Sequence, residues 1–158
     1  MSSVYIETTV PSYYHETRSD ARIVAWRDIT REWWDTHRFK YELFTSRFTL
    51  RELAAAPEPK ANAGAAMLEE ATVLDEPPEL VDVVEFYIEH KLMPDDATGD
   101  AAHLALASLH GMGFLLTWNC RHLANANKLR HLAVLNGRLG LHVPTVTTPL
   151  TLMPEDEE

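Results

Sequence analysis

The stretch DAAHLALASLHGMGFLLT, residues 100–117, decides the fold class of this chain. Its first eleven residues carry apolar side chains at a helical spacing and predict a helix over 100–110. Gly111 and Gly113 end that helix, because glycine is the usual residue just past a helix C-terminus. The apolar run 114–117 then predicts a strand covered on both faces, as in a parallel sheet between helix layers.

Short strands and helices alternate along the rest of the chain. Apolar, β-rich runs predict further strands at 4–6, 41–46 and 144–147. Apolar stripes, capping residues and proline breaks predict further helices at 21–37, 49–56, 61–70, 79–92 and 127–139. Strands separated by helices favour an α/β fold with a parallel sheet. We therefore expect one domain over residues 1–150, followed by an acidic tail at 151–158.

The charge of the chain bears on its substrate. The 158 residues carry a net charge of -10, from 24 acidic and 14 basic side chains. Such a charge opposes binding to nucleic acid, because much of that affinity comes from Lys and Arg on phosphates. Part of the negative charge lies in the tail 155–158, and cations in a metal site would neutralise another part. Nucleic acid therefore stays a candidate substrate.

The cysteine count and the N-terminus predict the compartment. Cys120 is the only cysteine, so the chain forms no internal disulfide, which favours a reducing compartment. Residues 1–7 lack the basic and apolar segments of a signal peptide. No apolar run approaches the ~20 residues that a membrane helix needs. The sequence therefore predicts a cytoplasmic protein with no membrane association.

Four polar residues, far apart in the sequence, are expected at one edge of the sheet. In open parallel sheets, ligands bind outside the carboxyl ends of the strands. Glu7 directly follows the first predicted strand, and Asn119 follows the strand that ends at 117. Glu52 lies about one helical turn after the second strand, and Asp100 begins its helix. These side chains are candidates for one shared pocket.

A divalent cation gives a physical reason for such convergence. Neighbouring carboxylates repel one another and raise each other's pKa, and a bound cation removes that cost. Oxygen ligands favour Mg²⁺ or Mn²⁺ over zinc. Such an ion lowers the pKa of a bound water and stabilises charge on a phosphodiester. The pattern therefore indicates metal-dependent hydrolysis of a phosphate ester.

Three segments resemble the motifs of PIN-domain proteins. They are Val4-Tyr5-Ile6-Glu7-Thr8-Thr9-Val10-Pro11-Ser12, Asp100-Ala101-Ala102-His103-Leu104-Ala105-Leu106-Ala107 and Leu115-Leu116-Thr117-Trp118-Asn119-Cys120-Arg121-His122-Leu123-Ala124-Asn125. The resemblance implies a PIN-like three-layer α/β/α fold with a short central parallel sheet. It points to the VapC-like toxins of type II toxin–antitoxin systems. Such proteins are Mg²⁺- or Mn²⁺-dependent endoribonucleases that hydrolyse RNA phosphodiester bonds, often form homodimers and are neutralised by an antitoxin.

The resemblance also implies residue roles. It assigns the catalytic metal to three acids, Glu7, Glu52 and Asp100. Asn119 stands where many members of the family have a fourth acid, and is expected to assist catalysis. Glu7 stands where the family usually has Asp, which is one methylene shorter. Thr117 and Asn125 are expected to orient a water or a ligand in the same loop.

Other interpretations of these residues stay open at this point. Glu52 fits a capping box, in which its side chain would reach back to the backbone amide of Thr49. Asp100 also suits the first turn of a helix for its charge alone. His103, three residues later, is either a packed core histidine or part of an Asp-x-x-His metal motif. The departures at Glu7 and Asn119 support an alternative function, a PIN-like binding partner with weak or no catalysis.

Overall fold

A five-stranded parallel sheet forms the centre of the computed structural model, which describes residues 1–155. The strands are β1 Ser2–Ile6, β2 Tyr41–Thr45, β3 Thr72–Val73, β4 Phe114–Leu116 and β5 Thr145–Thr147. Their order across the sheet is β3-β2-β1-β4-β5, and every neighbouring pair is parallel. β1 is therefore the central strand, and the predicted α/β fold with a parallel sheet is confirmed.

Helices connect the strands, as a parallel sheet requires. Within the described residues they are α1 Thr9–Tyr14, α2 Ala21–Glu32, α3 Arg47–Ala54, α4 Lys60–Met67, α5 Leu80–Glu89, α6 Thr98–Leu109 and α7 Ala126–Leu139. Short helical turns follow α2 and α4, at Trp33–His37, Arg38–Lys40 and Leu68–Glu70. The predicted helices thus correspond to observed ones, with shifted ends.

The two faces of the sheet bury two separate cores. Successive side chains of a strand point to opposite faces, so β1 contributes to both. Tyr5 packs in a core with residues of α5, α6 and α7. Val4 and Ile6 pack in the other core, with Trp33 and Leu53. This alternation gives the molecule three layers, helices on each side of one sheet.

Two tryptophans change the end of the helix predicted over 21–37. The α-helix ends at Glu32, and Trp33–His37 forms a single wider π-helical turn. Trp33 and Trp34 are both buried in the same core, and the indole Nε1 of Trp33 donates to the backbone oxygen of Leu152 at 2.7 Å. Burial of two consecutive large side chains in one core accounts for the wider turn.

The predicted capping box at Thr49 and Glu52 is wrong. α3 begins at Arg47, and its N-cap is Ser46, whose hydroxyl oxygen accepts from the Thr49 backbone amide at 3.3 Å. A serine at the N-cap satisfies a free amide of the first turn, and here it makes the bond that the capping box would have given to Glu52. The carboxylate of Glu52 is left for other partners.

The chain remains packed beyond the predicted domain end at residue 150. Leu152 is buried against Trp33 in the second core. Residues 156–158 of the predicted acidic tail lie outside the described residues. In the part of the chain that is described, no helix has the length and apolar character needed to cross a membrane.

The helices α5 and α6 end in the same hydrogen-bonded motif. The backbone amide of Leu92 donates to the oxygen of Tyr87, and that of Met112 donates to the oxygen of Ala107, each at 2.9 Å. These are the 6→1 bonds of a Schellman motif, which requires a left-handed residue before the donor. That residue is Lys91 after α5 and Gly111 after α6.

These two left-handed positions give opposite expectations for stability. Lys91 has φ 61°, and Gly111 has φ 65° with open space where a Cβ would stand. We expect Lys91→Gly to raise the free energy of unfolding by about 0.5–1 kcal/mol, since glycine relieves left-handed strain. Gly111→Ala should lower it by about 1 kcal/mol, because alanine introduces that strain. Urea unfolding of both variants measures this, and equal shifts of the same sign would contradict it.

Candidate functional site

Glu7 lies at the carboxyl end of the central strand. Its backbone amide donates to the oxygen of Leu116 at 3.1 Å, which continues the pairing of β1 with β4. Its Oε1 accepts from the backbone amide of Thr9, at the start of α1, at 2.6 Å. The side chain is only 3% exposed, and burial raises the pKa of Glu7 against the opposing charge of His103. Glu7 is therefore a desolvated carboxyl group held in one orientation.

Glu52 reaches the same region from α3. Its Oε1 accepts from the Thr8 hydroxyl at 3.0 Å and is hydrogen-bonded to Nε2 of His103. Burial alone would raise the pKa of Glu52. The hydrogen bond from His103, the charge of His103 and the hydrogen bond from Thr8 together outweigh burial, so the pKa of Glu52 lies below its ordinary value. Both bonds use Oε1, so Oε2 is left for another partner.

Asp100 lies in the first turn of α6, where it is half-buried. Burial raises the pKa of Asp100, while the charges of His103 and His122 and a hydrogen bond from Asn119 oppose the rise. Oδ1 of Asn119 accepts from the His122 backbone amide at 3.0 Å, so its NH₂ group is the donor to Asp100. Asn119 thus contacts the third acid as a neutral donor.

The three predicted acids share one neighbourhood. Burial is the main cause of the raised pKa of both Glu7 and Asp100, and the charge of Glu52 raises both further. His103 opposes the rise in both. Glu7 and Asp100 therefore lie within electrostatic range of the same two side chains. As they are oriented, though, no three His, Cys, Asp or Glu side chains of residues 1–155 form a ready ligand set for a metal ion.

The two predicted supporting residues have local partners. The hydroxyl oxygen of Thr117, a buried residue after β4, accepts from the Asn119 backbone amide at 2.9 Å. Thr117 thereby fixes the loop that carries Asn119. Asn125 is the N-cap of α7, and its Oδ1 accepts from the Asn127 backbone amide at 3.0 Å. Its NH₂ group donates to the backbone oxygen of Arg121, so the structure uses Asn125 to start a helix.

Histidines are the main addition to the predicted site. His103 is buried, and both of its ring nitrogens have protein partners, Tyr5 and Glu52, which agrees with the packed interpretation. His122 lies near Asp100, and its Nδ1 is buried without a hydrogen-bond partner in residues 1–155. The signal for His103 was its three-residue spacing from Asp100, which puts both on one helix face. His122 had no comparable signal.

The donor set suits a hard divalent cation. Carboxylates of Glu7, Glu52 and Asp100 and the amide of Asn119 supply oxygen atoms, the ligands that Mg²⁺ and Mn²⁺ prefer. Glu7 is buried, and the opposing charge acting on it comes from His103. A desolvated carboxyl group without a full counter-charge gains most from a cation. The chemistry of these donor groups therefore fits such an ion.

Comparison with known proteins identifies the fold. No protein-family model and no curated protein matches this chain. Among solved structures, the chain is similar to the crystal structure of FitAcB from Neisseria gonorrhoeae, with a TM-score of 0.52 and 18% sequence identity. The match covers 94% of this chain and 99% of that chain. The chain therefore has a PIN-like three-layer α/β/α fold around a short parallel sheet.

Proposed function

We propose that this protein is a metal-dependent endoribonuclease that hydrolyses RNA phosphodiester bonds. One observation carries the proposal: Glu7, Glu52 and Asp100 come from three separate parts of the chain, and the charge of Glu52 acts on both Glu7 and Asp100. Mutual repulsion and burial make this arrangement costly unless a cation offsets it. The PIN-like fold and the resemblance of the motifs to VapC-like toxins support the same function.

In this proposal Glu7, Glu52 and Asp100 hold Mg²⁺ or Mn²⁺, and Asn119 assists. When bound among these residues, such an ion would lower the pKa of a water and stabilise charge on the phosphate. The chain itself supplies pre-organised groups. The Thr9 amide holds Glu7, and Thr117 holds the loop of Asn119. Groups locked by hydrogen bonds lose little freedom when substrate binds, which favours catalysis.

The partners of the proposed nuclease follow from the resemblance. We assign it an RNA substrate, an antitoxin protein that neutralises it, a homodimeric assembly and a cytoplasmic location. The net charge of -10 is the main physical objection to RNA. A bound cation reduces the negative charge at the site, and the exposed Arg121 lies in the loop that follows Asn119. Both features favour the approach of a phosphate to this edge.

A second candidate function is a PIN-like binding partner with weak or no catalysis. Asn119 is neutral where many family members have a fourth acid, and the carboxylate of Glu52 turns to His103. Within residues 1–155 no ready ligand trio is present. Calorimetric titration separates the two functions, because only the nuclease needs Mn²⁺ binding at this site.

Loss of one acid is the direct test of the nuclease. We expect Asp100→Asn to lower Mn²⁺-dependent cleavage of single-stranded RNA by about 100-fold or more, since loss of even a supporting group at a metal site costs ~10–100-fold. The exposed Asp96 is the matched control, and Asp96→Asn should cleave like the wild type. Circular dichroism checks that both variants fold. Wild-type cleavage by folded Asp100→Asn would remove the mechanism.

The buried charge of Glu7 makes a prediction about stability. Burial raises the pKa of Glu7, so above that pKa the metal-free protein carries a charge that destabilises the fold. Glu7→Gln removes the charge and keeps an oxygen for the Thr9 amide. We expect a higher Tm for the variant at neutral pH in EDTA, with a difference that shrinks as acid protonates wild-type Glu7. Thermal unfolding across that pH range measures it.

Glu16 provides the matched control for this experiment. It is also buried, but hydrogen bonds from Arg18 lower the pKa of Glu16 to about 2, so its charge stabilises the fold at neutral pH. Glu16→Gln should therefore lower the Tm, and the loss should vanish as the pH falls toward 2.

Added Mn²⁺ should raise the Tm of wild type and of Glu16→Gln, but leave the Tm of Glu7→Gln unchanged. A lower Tm for Glu7→Gln in EDTA would contradict the assignment.

A further inference from the structure

A chain of hydrogen bonds runs from the interior of the molecule to the carboxylate of Glu52. The hydroxyl of Ser46 lies 2.5 Å from the hydroxyl of Tyr5, and that hydroxyl lies 2.6 Å from Nδ1 of His103. Nε2 of His103 is hydrogen-bonded to Oε1 of Glu52. Ser46, Tyr5 and His103 are buried, whereas the side chain of Glu52 is 45% exposed. The chain therefore connects the core to an exposed carboxylate.

The chemistry of the partners gives the bond between His103 and Glu52 a direction. A carboxylate only accepts hydrogen bonds, so Nε2 of His103 is the donor to Glu52. When the imidazole is neutral, Nδ1 accepts from the hydroxyl of Tyr5; when it is charged, Nδ1 donates to the oxygen of Tyr5, and the bond from Nε2 to Glu52 is the same in both states. The oxygen of Ser46 itself accepts from the Thr49 amide. In both states Nε2 donates to Glu52, so the buried chain holds the carboxylate through His103.

A purely structural role does not account for this chain. A buried histidine needs partners for its ring nitrogens, and Glu52 supplies one of them, but the carboxylate itself is exposed and gains little from the bond because water already solvates it. The rings of Tyr5 and His103 already pack edge to face, with centroids 5.6 Å apart. Packing alone would be satisfied by an apolar side chain at position 103. The bond to Glu52 matters for where that carboxylate is held.

The position of Glu52 is what the proposed metal site requires. A glutamate on a helix surface has several rotatable bonds, and His103 and Thr8 remove that freedom by holding Oε1. The other oxygen, Oε2, lies 3.9 Å from where a Cβ on Gly99 would stand, beside the first turn that carries Asp100. Because the bonds take one oxygen only, the second stays available, and the charge of this carboxylate acts on both Glu7 and Asp100.

We propose that His103, supported by Tyr5, is a positioning residue that fixes Glu52 as a ligand of the metal site. The inference rests on the proposed function, because it concerns the same ion. Groups that orient metal ligands in this way raise metal affinity, and their loss costs ~10–100-fold. His103 itself does not contact substrate or metal in this role.

The test compares Mn²⁺ affinity by isothermal titration calorimetry across variants of position 103. We expect His103→Phe to weaken Mn²⁺ binding by about 10–100-fold. His103→Gln places an amide donor near the former Nε2, and should restore most of the affinity. His110→Gln, at the end of the same helix, is the matched control and should bind like the wild type. Equal affinity of folded His103→Phe and wild type would overturn the inference.

Tyr5→Phe keeps the proposal testable where His103→Phe fails to fold. The variant keeps the ring and removes only the hydroxyl that holds Nδ1 of His103, and it should weaken Mn²⁺ binding several-fold.

Nitrogen NMR of the metal-free protein adds a readout without metal: the Nε2 proton signal of His103 should move in Glu52→Gln. An unmoved signal, or unchanged affinity in Tyr5→Phe, would overturn the inference. Wild-type protein that binds no Mn²⁺ would overturn the proposed function as well, whereas tight wild-type binding with insensitive variants would remove the positioning role alone.

Discussion

The burial of β1 on both faces is the constraint on which the rest of the structure depends. As the central strand it pairs with β2 and β4, so its side chains have only the two helix layers to enter. Val4 and Ile6 enter one core, and Tyr5 enters the other. Glu7 is the next residue, and it remains buried just past the carboxyl end of the strand. The same alternation of side chains thus contributes to both cores. It also places the carboxyl group of Glu7 and the buried hydroxyl of Tyr5 at the site.

The site obtains different properties from similar side chains by changing their surroundings. Glu7 and Asp100 are desolvated, which raises the pKa of both, whereas hydrogen bonds from His103 and Thr8 bring the pKa of Glu52 below its ordinary value. The three acids therefore differ in how readily they carry charge. A cation bound among them would offset the burial of Glu7 and Asp100 and use a Glu52 that is already ionised. Burial of the carboxyl groups of Glu7 and Asp100 would then both destabilise the metal-free protein and favour binding of the metal that the function needs.

Much of the layer structure could be predicted from local patterns, and the failures have physical causes. The apolar run before Thr117 and the helix that starts near Asp100 follow from periodicity, which depends on neighbours in sequence. β3 has two residues, Thr72–Val73, too few for any pattern to register. The capping box predicted at Thr49 and Glu52 is wrong because Ser46, one turn before Thr49, caps α3. A local rule cannot choose between two suitable caps when distant partners compete for one of the side chains.

The sequence by itself determined the α/β class, the parallel sheet and the placement of Glu7 and Asn119 after strands, because these depend on period and order along the chain. Only the tertiary structure decided which polar groups of the site contact one another. His103 is hydrogen-bonded to both Tyr5 and Glu52, Asn119 donates to Asp100, and Asn125 caps a helix. Tyr5 and His103 are 98 positions apart. Contacts between residues so far apart in sequence depend on how the helix layers pack on the sheet. Hydrophobic periodicity does not indicate which polar groups will contact one another between those layers.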